Sequence, residues 1–362
     1  MPTLTGGRAM AEATGSGPYA VIEVGSKGVR GFVFDLDTAR HERCHKNYDA
    51  YLGCLDLKRL ESINVSPLQR GSVDATADAV ATHVATLKDR HGVDETRIYI
   101  VGSSGIANVE HRDHLMVAIE DRVEPAYAMD FVSADMEATH AFDGLLSLGR
   151  SQIRGPAHAR LLVIDIGSGN TKGSYLEVSG GEERVVGFGI PWGTVSATNQ
   201  IDANRGSGAF APAAADWRDH ALLPELEAAL ADRPGARERD LVYLIGGTPW
   251  ALVTLMLPDN TDKAVLIDGA LVQRFLRETS APDAGARLCS ANPRNTPGSA
   301  IARVCSVFTV DNLAAGAHIV SALATELSFS KSGKSVFFIR DSQFAWPLGY
   351  LQSRLSGDHT AR

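Results

Sequence analysis

One segment of this 362-residue chain occurs twice, and its plan limits the fold more than any other feature. Residues 161–176 read LLVIDIGSGNTKGSYL. A buried-strand run to Ile166 is broken only by Asp165, a tight turn Gly167-Ser168-Gly169-Asn170-Thr171 follows, and the apolar pattern resumes. Residues 19–34, YAVIEVGSKGVRGFVF, follow the same plan. Glu23 takes the place of Asp165, Gly25-Ser26 that of Gly167-Ser168, and Lys27-Gly28 continues the turn. Two strand–acid–glycine turn–strand hairpins, about half a chain apart, predict an internal duplication.

Such a hairpin has a definite chemistry. Glycines let successive backbone N–H groups converge on one point, an anion nest suited to phosphate. Ser26, Ser168 and Thr171 add hydroxyl donors. An acid at the end of the first strand does not attract phosphate, but it can hold a hydrated Mg2+ that bridges to phosphate, or orient a water. The plainer alternative is two ordinary glycine turns with acids satisfied by backbone. Two copies in register weigh against it.

Around the hairpins, strand and helix patterns alternate. Val73, Ala77, Val80, Val84 and Leu87 repeat every three or four residues and predict a helix over 72–90. Short strands are expected at 97–101 and 127–132, helices at 111–122 and 134–146, and another strand within 41–55. The apolar pattern lapses at 151–158. Beyond it, strands are expected at 161–166, 173–178, 184–189, 241–245 and 335–339. Helices are expected from 192, through 222–230, and over 265–278, 310–327 and 342–355; 206–215 reads as loop and 281–299 as a surface excursion. The result is an α/β fold of two similar domains, each a mixed sheet flanked by helices. Residues 1–17 read as a disordered leader, 18–155 as the first domain, 156–340 as the second and 341–362 as a C-terminal segment.

Composition narrows the class. A net charge of −8 without a basic block argues against nucleic acid as a partner. No apolar run is long enough to cross a membrane, and the leader lacks a signal peptide's apolar stretch. Cys44, Cys54, Cys289 and Cys305 are too few and too scattered for a disulfide scaffold, so a reduced, cytoplasmic protein is expected.

The two hairpins, with the later strand that runs into Gly246-Gly247-Thr248, resemble the actin/Hsp70/sugar-kinase superfamily, which implies two ribonuclease H-like (actin-like ATPase) domains with a cleft between them. Within it the chain is similar to the exopolyphosphatase/guanosine pentaphosphate phosphatase (Ppx/GppA) family. The pieces are VGSSGIAN at 101–108, VSADMEA at 132–138, DIGSGNT at 165–171 and VDNLAAGAHI at 310–319. The resemblance implies Mg2+-dependent hydrolysis of phosphoanhydrides such as polyphosphate or guanosine pentaphosphate, and a homodimer. It makes Glu137 the general base and Glu23 and Asp165 Mg2+-associated catalytic carboxylates. Phosphate contacts would come from Gly25, Ser26 and Lys27 in the first loop and from Gly167, Ser168, Gly169, Asn170, Thr171 and Lys172 in the second. Gly246, Gly247 and Thr248 would suit the nucleotide side of the cleft, with ATP as the alternative ligand. In such a site a carboxylate deprotonates water while backbone donors and a metal neutralise the growing phosphoryl charge.

Four departures bear on that reading. Glu23 replaces an Asp and moves its carboxylate by about 1.5 Å. Lys27-Gly28 stands where Asn-Ser is usual, and Ser104-Gly105-Ile106-Ala107 lacks an arginine. Lys172 replaces an acid; it tightens polyanion binding, removes a catalytic group, or points away from the cleft. Besides a phosphatase, two classes stay open: an actin-like ATPase or small-molecule kinase, and a catalytically inactive phosphate or nucleotide sensor. The kinase reading rests on fold analogy alone. The P-loop-like SKSGKS at 330–335 lacks its opening glycine and precedes a strand, so it reads as a solvated turn. His111 and His114 read as surface residues, and His41, Cys44, His45 and Cys54 fit no compact zinc site.

Overall fold

The structure, a computed structural model, describes residues 17–36, 57–67, 69–123, 127–149 and 159–356. The leader, the strand expected within 41–55 (with His41, Cys44, His45 and Cys54) and the boundary at 151–158 lie outside the described residues.

The first hairpin is β1 (Tyr19–Gly25) and β2 (Gly28–Phe34). With β3 (Leu57–Arg59), β4 (Ile63–Asn64), β5 (Ile98–Gly102) and β6 (Met129–Phe131) it forms a sheet of order β3-β2-β1-β5-β6, with β4 on β2. β1, β2 and β3 run antiparallel, and β5 and β6 add in parallel. The second sheet repeats this plan. β7 (Leu161–Ile166), β8 (Thr171–Ser179) and β9 (Glu182–Ile190) are antiparallel; β10 (Leu241–Gly246) and β12 (Ser335–Ile339) add in parallel, and β11 (Ala264–Leu266) closes the edge. β1 and β7 are central, with helices on both faces, so their sequences read as nearly unbroken apolar runs. The duplication expected from the hairpins extends to whole sheets.

Helices α1 (Val73–His91) and α2 (Arg112–Val123) cover the outer face of the first sheet. Eight pack with the second sheet: α4 (Thr194–Arg205), α5 (Phe210–Trp217), α6 (Leu223–Ala231), α7 (Gly235–Glu238), α8 (Gly247–Met256), α9 (Gly269–Ser280), α10 (Ala300–Val307) and α11 (Val310–Glu326). Two further helices among the described residues, α3 (Ala134–Gly149) and α12 (Ala345–Leu355), lie between the sheets. Their core joins Val21, Phe32 and Phe34 of one sheet to Leu161, Val163 and Ile339 of the other through Phe142, Leu145, Trp346 and Leu351. α3 therefore bridges the two domains: the Ser174 hydroxyl of β8 donates to the Ala138 carbonyl at 2.7 Å. α12 docks against it through Gly349, whose missing side chain admits the backbone of His140.

Several expectations need correcting. The run expected as one helix over 265–278 begins as edge strand β11, and helix starts only at Gly269, capped by the Asp268 side chain on the Leu271 N–H. The loop expected at 206–215 contains the start of α5. α8 has no amphipathic stripe because it is apolar and buried on nearly all sides. His111 is buried and hydrogen-bonds the Pro67 carbonyl at 2.7 Å, so it is no surface residue. Cys289 and Cys305 are joined in a disulfide with Cα atoms 5.8 Å apart, against the expectation of reduced cysteines. The turn at 330–333 does precede a strand, and Lys334 donates to the Leu327 carbonyl near the end of α11 at 2.6 Å. Among the described residues, no single helix is long and apolar enough to cross a membrane.

Candidate active site

The two hairpin turns meet at the junction of the sheets. A Cβ on Gly169 would lie 2.5 Å from the Ser26 hydroxyl and 2.7 Å from the Gly105 Cα, so only glycine allows this approach. The second turn is braced from behind by α4. Thr194 and Val195 donate their N–H groups to the carbonyls of Gly167 and Ser168 at 3.1 and 2.8 Å, and the Ser196 hydroxyl donates to the Gly169 carbonyl at 2.8 Å. Helix α4 thus spends its otherwise free first-turn donors on the loop. The Thr171 hydroxyl turns back to the Trp192 carbonyl at 2.8 Å, away from the junction. Trp192 packs edge-on against Trp217, with ring centroids 5.6 Å apart.

The charged groups gather at the same junction. Glu23, Glu137, Lys172 and Asp165 are 2, 2, 3 and 9 % exposed. Glu137 projects from the first turn of α3. Its Oε1 accepts from the Lys172 ammonium at 2.9 Å. Its Oε2 accepts from the Ser104 N–H at 2.7 Å and the Ser104 hydroxyl at 2.5 Å. Asn170 closes a ring: its Nδ2 donates to the Ser104 Oγ at 2.7 Å, and its Oδ1 accepts from Lys172 at 3.1 Å. Lys172 also reaches Asp165 Oδ2 at 3.2 Å. Behind Asp165 stands Gly246, at φ 94°, where any side chain would strike the Asp165 carboxylate. Position 246 is therefore closed to other residues on both counts.

Glu23 is ion-paired with Arg30, its cross-strand neighbour. Burial pushes the Glu23 carboxyl above its ordinary value; Arg30 opposes this, and the nearby Glu137 and Asp165 add to it. Burial alone would lower Lys172, but Asp165 and Glu137 overcome it and hold the ammonium above its ordinary value. Lys27 is lowered to about 8 by burial. It reaches across to the second domain, donating to the Val307 carbonyl at 3.2 Å and lying 3.9 Å from the centre of the Phe308 ring.

The structure thus brings together Glu23, Ser26, Asp165, Gly167, Ser168, Gly169, Asn170, Lys172, Gly246 and Glu137, while the Thr171 hydroxyl, expected to hold phosphate, faces away. It spreads the last glycine motif: Gly247 faces Phe308, and Thr248 lies inside the second domain against Gly316 of α11. Arg30 and Ser104 went without an assigned role in the sequence. For Arg30 the signal was present as register, because an acid seven residues before a base across a hairpin places the two side by side on one face; Ser104, in the loop after β5, had no such signal.

Mg2+ fits these residues poorly. The carboxylates expected to hold it already have side-chain cations, Lys172 on Asp165 and Arg30 on Glu23. Among the described residues no group of three His, Cys, Asp or Glu side chains could hold a metal ion. One carboxylate oxygen of Glu23, Oε2, is buried without a hydrogen-bond partner. Mg2+ needs only one or two carboxylates beside waters and phosphate, but the oxygens of Asp165 and Glu23 that it would take face the Lys172 ammonium and the Arg30 guanidinium.

Solved structures decide the fold. An exopolyphosphatase from Cytophaga hutchinsonii superimposes with a TM-score of 0.61 at 14 % identity, over 94 % of this chain and 98 % of that one. The fold is that of the Ppx/GppA structures. A PPX-GPPA enzyme of Aquifex aeolicus gives 0.60 at 15 % identity, over 93 % of this chain and 99 % of its own. An exopolyphosphatase-like protein gives 0.56 at 16 %, covering 89 % and 94 %. No protein-family model and no curated protein matches the sequence.

Proposed function

We propose that the chain binds and hydrolyses phosphoanhydrides, of the polyphosphate or guanosine polyphosphate kind, at the junction of its two domains. The observation that supports this best is the meeting of the two glycine turns at Ser26, Gly105 and Gly169, next to a buried carboxylate, Glu137, that Ser104 and Lys172 hold. In the closed arrangement both Glu137 oxygens are engaged by Ser104 and Lys172. A phosphate entering beside Gly169 and Gly105 competes for the Ser104 N–H and hydroxyl, since a dianion is the stronger acceptor. Their transfer to the phosphate frees Oε2 of Glu137 to take a proton from water. The water oxygen forms the new P–O bond, the bond to the bridging oxygen breaks, and the backbone donors of the turns meet the charge that develops. Opening and closing of the two domains would admit the ligand and then exclude bulk water.

A second reading is favoured by the Lys172–Glu137 pair itself. If the ring survives ligand binding, the base is never free, and the protein is a phosphate sensor without turnover. Phosphate release from polyphosphate, guanosine pentaphosphate and ATP, with Glu137→Gln run in parallel, separates the two. Release that the variant loses supports hydrolysis. Binding without release supports the sensor, and neither binding nor release would sink both.

A further inference from the structure

Each hairpin brings its own counter-charge. β1 and β2 set Glu23 opposite Arg30, and β7 and β8 set Asp165 opposite Lys172. Opposed residues of an antiparallel pair lie on one face with Cβ atoms ~4.5–5.5 Å apart. Register alone therefore delivers a cation to each acid, once per domain. At the second hairpin the arrangement goes further. The ammonium of Lys172 has three donors. They meet Glu137 Oε1 at 2.9 Å, Asn170 Oδ1 at 3.1 Å and Asp165 Oδ2 at 3.2 Å. These oxygens come from α3, the turn and β7, three separate parts of the chain. A buried point cation that gathers oxygens from three elements does the structural work of a bound metal.

We infer that Lys172, with Arg30 on the opposite hairpin, stands in for the divalent cation in this cleft, so that its phosphate ligand is taken as the free anion and not as a metal complex. The identity of the ligand rests on the proposed function; the place of the cation rests on the geometry alone. A divalent ion bound to Asp165 and Glu137 would need their oxygens at ~2.0–2.1 Å. Those same oxygens face the ammonium, and two like charges that close in a desolvated site repel strongly. The site thus keeps a charge that a chelator does not remove. Lys172 is also fully used by its three acceptors, which makes it a positioning residue that holds Glu137 and Asp165, not a group that touches phosphate.

Mn2+ titration of the full-length protein, followed by electron paramagnetic resonance, tests this without any turnover. Wild type is expected to leave the aqueous Mn2+ signal unchanged at millimolar metal. Lys172→Ala, which uncovers the carboxylates, is expected to gain Mn2+ affinity on the order of 10–100-fold, the range over which groups acting on metal-ligating residues operate. Asp165→Asn added to Lys172→Ala removes the gain. One Mn2+ bound by wild type and lost in Asp165→Asn overturns the inference, even if Lys172→Ala fails to fold. A folded Lys172→Ala with no gain overturns it as well. Calorimetry with tripolyphosphate in EDTA supplies the ligand arm. Retained binding agrees with recognition of the free anion, and binding that disappears in EDTA contradicts it. No binding under any condition defeats the proposed function, while the Mn2+ titration still decides the role of Lys172.

Discussion

Lys172→Met retains the length of the side chain and removes its charge, which makes it the most informative single change. The substitution leaves Glu137 and Asp165 facing each other's field with no cation between them, both buried at the junction of the domains. Removing one partner from a buried pair costs about 3–5 kcal/mol, because an uncompensated charge remains. At roughly 2–4 °C per kcal/mol for domains of this size, melting should fall by roughly 6–20 °C. The sign of the pH dependence follows from the protons. In wild type, the Lys172 value is raised in the folded state, so its contribution is whole below the ordinary 10.5 and is lost only as pH rises through the folded value. A comparison at neutral pH therefore sees all of it. Melting followed by circular dichroism at pH 7.5 reads the effect. A variant that melts within about 2 °C of wild type at neutral pH would refute the reasoning, since the ammonium would then stabilise nothing.

Three other outcomes are expected. Affinity for a polyanion should fall as pH rises through about 8, where Lys27 loses its proton, and Lys27→Met should abolish that inflection in a calorimetric pH series. Reduction of the Cys289–Cys305 bond, which closes a loop of 16 residues, should destabilise the chain by about 3 kcal/mol in urea unfolding with and without reductant. Alkylation of the unreduced, denatured protein should leave both cysteines unlabelled. Gly169→Ala should cost about 1–3 kcal/mol, because its Cβ meets the Ser26 hydroxyl and the Gly105 backbone and pushes the turns apart. Gly71→Ala, in open space, should stay within about 0.5 kcal/mol of wild type and serves as the control.

The sequence was most legible where one physical rule acted alone. The two hairpins announced themselves because central strands must be apolar and tight turns favour glycine, and the repeated sheet followed from them. Legibility failed where tertiary packing erased local pattern. α8 is buried nearly all round and so lacks periodicity, and β11 is a three-residue edge strand whose apolar residues continue into the helix after it. The disulfide depends on the 16-residue stretch between Cys289 and Cys305 folding back on itself, which spacing along the chain did not reveal. In the site, Asp165 and the glycine turns were named from residue type and order, and Glu137 from the family resemblance. Their actual partners were decided by register and by α3 lying between the sheets. Lys172 shows this best. Its three readings in the sequence were separable only once Asp165 stood directly across the hairpin and Glu137 came in from α3.

The measurement closest to the central claim is phosphate release from polyphosphate in excess EDTA, by wild type and by Glu137→Gln. The account predicts release by wild type that survives the chelator and is lost in the variant. Release that stops in EDTA and returns with Mg2+, or that continues undiminished in Glu137→Gln, would contradict it.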